Sequence, residues 1–137
     1  MRVRLALLLA LLLLGSCALV PDQALIPVPP EKVGTWIRRG LETPDPATAP
    51  DSVHDLHPLS WVRAAYYRDG TLIEASAYGF RAETSALEAR QRWQPEEQAA
   101  VFLRGPVFVV CTSRGPQPGA PEEFARQLEM AWFNSPR

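Results

Sequence analysis

The segment WVRAAYYRDGTLIEASAYGF, residues 61–80, holds two strand-like runs on either side of Asp69-Gly70. A type I′ turn needs positive φ at both central residues. Gly accepts this freely and Asp tolerates it, so Asp-Gly between such runs predicts a tight hairpin. A two-residue loop pairs Arg68 with Thr71, and so Tyr66 with Ile73, Ala64 with Ala75 and Val62 with Ala77. That face is apolar. The opposite face pairs Tyr67 with Leu72, Ala65 with Glu74 and Arg63 with Ser76, and is mixed. A slip of one residue would turn Glu74 into the core, so the hydrophobic pattern fixes the register.

Downstream, a helix is expected over 84–93. Ala82, Ala86, Ala89 and Trp93 share one narrow arc at 3.6 residues per turn, and Leu87 lies off it. Ser85-x-x-Glu88 has capping-box spacing, and Pro95 enforces the stop. A second hairpin, 99–104 with 107–112, turns on Gly105-Pro106, where a type II′ turn takes positive φ first and a proline-like φ second. Its strands are apolar on both faces: Val101, Leu103, Phe108 and Val110 on one, Phe102, Val109 and Cys111 on the other. Such strands are central or covered on both sides.

After a Gly/Pro connection, Pro121, Glu122 and Glu123 open a last helix. Phe124, Leu128 and Ala131 face its core with Trp132 flanking, and Asn134 and Pro136 end it. Hairpin, helix, hairpin, helix predicts an α+β fold of order ββαββα: a four-stranded antiparallel sheet with two helices packed on one face. The expected core is 61–134, inside a single domain over 33–137.

Upstream, residues 41–58 (LETPDPATAPDSVHDLHP) are expected to form a long loop with one helical turn over 52–56. Val33-Gly34-Thr35-Trp36-Ile37 has core-like character and suggests a short strand. Residues 17–32 are rich in proline and read as an extended stalk. The alternative is that Leu25, Ile26 and Val28 pack onto the body as an edge segment.

The first residues divide as an export signal does: Arg2 and Arg4, an unbroken Leu/Ala run over 5–14, then small residues at Gly15 and Ser16. Ten apolar residues make about 15 Å of helix, roughly half the hydrocarbon core of a bilayer. Leu14-Gly15-Ser16-Cys17 resembles the lipobox of bacterial lipoproteins. That resemblance implies cleavage between Ser16 and Cys17 and a diacylglyceryl thioether on Cys17. Residues 1–16 are then the signal peptide and 17–32 a tether, and the membrane partner is reached through lipid. Two acyl chains hold a protein stably where one does not. The address is the cell membrane or outer membrane, facing the periplasm or the exterior. With no Asp after Cys17, the outer membrane is favoured where two exist.

Removing the leader leaves 121 of 137 residues, enough for one domain. The leader holds two of the 14 basic residues and none of the 15 acidic ones, leaving 12 against 15, a net of −3. So mild and mixed a charge argues against nucleic acid and against a basic patch for anionic lipid. One remaining thiol, Cys111, makes no internal disulfide.

Gly34-Thr35-Trp36, Ala65-Tyr66-Tyr67, residues 86–93 (ALEARQRW) and Phe108-Val109-Val110 together resemble a family of small exported bacterial proteins without an assigned function. The likeness spans about residues 33–133. It implies an α+β fold and a cell-envelope address, and it transfers no catalytic residue. At the level of fold analogy the arrangement is also similar to PsbP-like lipoprotein domains.

Little catalytic chemistry stands out. His54 and His57, with Asp51 and Asp55 close by, are the weak candidates for a metal site, but H-E-x-x-H is absent and two surface histidines in a Pro-rich loop are the expectation. No cofactor is implied. Cys111, inside a strand beside Val109 and Val110, reads as a buried thiol rather than a nucleophile. No serine sits in a G-x-S-x-G elbow, and no Gly-rich phosphate loop exists. The candidate interaction face is the mixed one, with Trp61, Tyr67, Leu72 and Tyr78; the competing possibility is that the segment with Trp36 covers it. The expected role is a non-enzymatic envelope lipoprotein that contacts an envelope protein. The alternative is a carrier of a small apolar ligand, and an enzyme stands last.

Overall fold

A computed structural model describes residues 26–94, 96, 98–115 and 119–134. The leader, Cys17, the tether as far as residue 25, and the stops at Pro95 and Pro136 lie outside the described residues. Six strands form one antiparallel, curled sheet: β1 (Lys32–Val33), β2 (Trp36–Glu42), β3 (Ser60–Arg68), β4 (Thr71–Gly79), β5 (Ala99–Arg104) and β6 (Val107–Arg114). Their spatial order is β1-β2-β3-β4-β6-β5. Three helices complete the described chain: α1 (Asp51–His54), α2 (Glu83–Arg92) and α3 (Ala120–Phe133).

The β3–β4 hairpin has the predicted register at every position, from Arg68 opposite Thr71 to Val62 opposite Ala77. Asp69 (φ 50°) and Gly70 (φ 82°) supply the two positive φ angles that a type I′ turn demands. The β5–β6 hairpin likewise turns at Gly105, φ 55°.

The four-stranded sheet is corrected to six strands. Val33 pairs with Trp36 across Gly34-Thr35, with Gly34 at φ 57°, so 32–42 is itself a hairpin. β2 then pairs along β3 from Ile37–Tyr67 to Glu42–Arg63. The sequence concealed it because the pairing shifts between Arg38 and Gly40. A bulge inserts a residue and breaks the alternation by which a strand is recognised.

The two helices on one face are also corrected. α3 covers the lower face with Ala120, Phe124, Ala125, Leu128 and Trp132, packed on Trp36, Tyr66, Ile73, Val109 and Cys111. α2 covers the upper face with Ala86 and Ala89, packed on Tyr78, Phe108 and Val110 together with Val53 of α1. The cause is legible in β6, which is apolar on both sides and therefore needs a layer on each. α2 keeps most of the predicted arc: Ala86 and Ala89 are fully buried, Trp93 is half-buried against Phe108 and Leu87 is exposed, but Ala82 precedes the helix and is exposed. Its N-cap, however, is Ala82, with no side-chain cap, so Ser85 and Glu88 form no capping box.

The end of the Pro-rich stalk belongs to the body. Ile26 is buried in the lower core. The Tyr66 hydroxyl donates to the Pro30 carbonyl at 2.7 Å, and Trp132 Nε1 donates to that of Pro27 at 3.0 Å. Arg38 also donates to the Pro29 carbonyl. Prolines leave carbonyls free of a helical or ladder partner, and buried side-chain donors here take them up.

Candidate functional site

The ladder pairings arrange the upper face in rungs that cross the sheet. The outermost, at the Asp69-Gly70 end, is Ile37–Tyr67–Leu72–Arg114. Next come Gly40–Ala65–Glu74–Thr112 and then Glu42–Arg63–Ser76–Val110. The last is Trp61–Tyr78–Phe108–Leu103. Same-face neighbours along a strand lie about 7 Å apart and adjacent strands about 4.8 Å apart. Two open rungs across four strands therefore make a shelf of about 7 by 14 Å between backbone centres.

The helical layer ends partway along this face. α1, the short 3-10 turn Pro46–Thr48 and α2 close over the last rung, where Trp61 stacks on Tyr78 at 5.5 Å. Burial pushes the Tyr78 hydroxyl pKa up. Among the described residues nothing covers the outer rungs in this way: Tyr67 is 43 % and Ile37 42 % exposed, with Leu72 half-buried between Tyr67 and Arg114. Of the predicted interaction residues, Tyr67 and Leu72 thus remain open, and Trp61 and Tyr78 are core. The cover comes from residues 46–54 and α2. Trp36, the alternative cover for this face, lies beneath the opposite one against Phe124.

Behind Tyr67, a depression of about 240 Å³ has Gly40 and Ala65 among its lining, with Glu42, Arg63 and Glu74 at its sides. Arg63 donates from Nε to Glu42 Oε2 at 3.0 Å and also forms an ion pair with that carboxylate. The Glu42 hydrogen bond holds the guanidinium pKa above its ordinary value. Arg63 also lies 5.6 Å from the Trp61 ring centroid, so its plane is fixed from two directions. The shelf is thus an apolar strip beside a charged one. Sequence reasoning named Tyr67 and Leu72 and put Ile37 in a short strand without assigning it to this face; it missed Gly40 and Glu42, which follow the bulge.

The other candidates lie apart. His54 and His57 are both exposed, and His54 Nδ1 is 3.6 Å from Asp55 Oδ1. Among the described residues no three His, Cys, Asp or Glu side chains come together as a metal site would need. Cys111 is fully buried in the lower core, and desolvation drives its thiol pKa strongly upward, away from the reactive thiolate. The sheet stands between it and His54, whose neighbour Val53 packs in the upper core. A hollow of about 300 Å³, lined by Ile26, Pro44, Pro46, Leu59 and Trp61 among others, opens to solvent. No described helix is long and apolar enough to cross a membrane.

Comparison with protein-family models, with curated proteins and with solved structures finds no match for this chain.

Proposed function

We propose that this chain is a lipid-anchored envelope protein, tethered through Cys17, whose half-covered sheet face docks a second envelope protein. The observation that carries the docking is the abrupt end of the helical layer, which leaves Ile37 and Tyr67 more than two-fifths exposed on a rigid sheet. A shelf this small lies well below the ~800 Å² per partner of a standard interface, and so suits a weak or transient contact. Tyr67 is the natural anchor, since an aromatic ring buries much area with little loss of conformational freedom. The Glu42–Arg63 pair and Glu74 form a charged rim that sets register and selectivity.

The tether joins at a favourable place. Ile26 sits beside Gly79, at the end of β3–β4 where Ser60 pairs with Gly79. Seven residues along β3, about 23 Å away, is Tyr67. Ile26 belongs to the lower core and the shelf to the upper face. The point where the tether meets the body and the shelf therefore lie at opposite ends and on opposite faces. Residues 18–25 span at most about 28 Å, shorter than a stalk running to residue 32.

Replacing Cys17 with Ser is expected to move the protein from the membrane pellet to the soluble fraction while its circular dichroism stays unchanged. Continued sedimentation with membranes would refute the anchor.

A further inference from the structure

We propose that two copies of this chain join through the free edge of β5, with Val101 opposite Val101 across a two-fold axis normal to the sheet. One antiparallel sheet then runs through both copies.

The two edges of the sheet differ in kind. At the first, β1 is only two residues long, β2 is bulged beside Arg38 and Arg39, and the chain leaves through Pro44 and Pro46. Short edge strands, bulges, charge and proline are the devices that keep sheet edges from pairing. β5 is six residues long, without bulge or proline. It runs Ala-Ala-Val-Phe-Leu-Arg in unbroken register with β6, its one charge at the final position beside the turn. That charge, Arg104, is tied back to α3 and the residue after it, 3.7 Å from Glu129 and 2.7 Å from Asn134 Oδ1.

The direction of the free groups follows from the ladder. Ser113 N–H donates to the Gln98 carbonyl at 2.8 Å, which makes Gln98–Ser113 a hydrogen-bonded pair. Such pairs alternate, so Ala100, Phe102 and Arg104 bond inward to β6. The N–H and C=O groups of Ala99, Val101 and Leu103 therefore point outward. Among the described residues, β5 has β6 as its sole ladder partner.

The strand complements itself. A two-fold axis normal to the sheet keeps upper face with upper face, so residues opposite each other must share a face. With Val101 on the axis, Ala99 meets Leu103 on the upper face and Ala100 meets Phe102 on the lower. Small opposes large on both sides, and all three outward-pointing residues find partners, giving six hydrogen bonds in all by the antiparallel rule. Moving the axis to Phe102 instead sets Phe102 against itself and Ala100 against Arg104. A symmetric contact of this kind is isologous and closed, so it stops at two copies. The symmetry also places both α3 layers, where residues 26–30 run, on one side and both shelves on the other. The pairing itself does not rest on the proposed anchor or shelf.

The test is native mass spectrometry or sedimentation of the purified full chain in detergent, at up to about 100 μM, two decades above a micromolar Kd. The wild type is expected to be dimeric. Val101→Pro is expected to be a folded monomer with unchanged circular dichroism, because the N–H it removes points away from β6. Val101→Lys sets two like charges on the axis and is expected to give the same monomer, its stem lying along the edge. It stands in should the proline variant fail to fold. A wild type that is monomeric throughout, or a dimer that survives both substitutions, would overturn the proposal.

Discussion

Replacing Trp36 with Ala is expected to destabilise the protein by about 3–5 kcal/mol, the cost of emptying a filled aromatic site. Trp36 is fully buried. Its ring meets Phe124 of α3 edge-on at 5.3 Å, and the Arg68 guanidinium lies 4.2 Å from its centroid. Arg68 in turn reaches Thr35 at 3.2 Å and Glu123 at 3.5 Å, so one side chain ties the β1–β2 turn to the last helix. The variant loses the packing, and it loosens the clasp as well. Chemical denaturation measures the loss directly. A value under about 1 kcal/mol, ordinary for a surface residue, would mean that the first hairpin is an appendage rather than part of the core.

A pair of glutamates two residues apart on α2 is expected to behave oppositely. Ala89→Glu places a carboxylate among Tyr78, Phe108 and Val110, where Ala89 is fully buried. An unpaired buried charge costs about 3–5 kcal/mol, and the longer side chain adds overpacking. Leu87→Glu falls on the exposed flank, 46 % accessible, and is expected to change stability by less than about 0.5 kcal/mol. Thermal midpoints of the two variants settle the matter. Equal losses would mean that α2 does not lie on the upper face through its alanines.

The parts of the fold that could be read in the sequence are those where local chemistry and periodicity agree. Asp69-Gly70 and Gly105-Pro106 demand particular turns, and each turn sets the whole register of its hairpin. Ala86 and Ala89 of α2 and the Phe124–Leu128 face of α3 obey the helical period and bury as expected, while Ala82 stays outside the helix. The opposite placement of the helices was implicit in β6, whose two apolar faces each require a cover, yet periodicity along one helix does not say which face it takes. The first hairpin escaped because a bulge interrupts β2 and because prolines surround it.

The shelf was half legible for the same reason. Tyr67 and Leu72 follow from the register of β3 with β4, whereas Gly40 and Glu42 lie past a bulge the pattern hides, and the pairing that sets Ile37 beside Tyr67 depends on the same strand. Burial of Trp61 and Tyr78 depends on residues 46–54 folding back over them, a long-range contact that nothing within that proline-rich stretch announces.

Site-specific photo-crosslinking in intact cells tests the docking claim most directly, with a benzophenone amino acid placed at Tyr67 or, for comparison, at Met130, which is 65 % exposed on the far side of the sheet. The proposed shelf predicts one discrete crosslinked species from Tyr67 that is absent from Met130 and is lost when Ile37 is replaced by Glu. Indistinguishable patterns from the two positions, or no adduct from Tyr67, would contradict it.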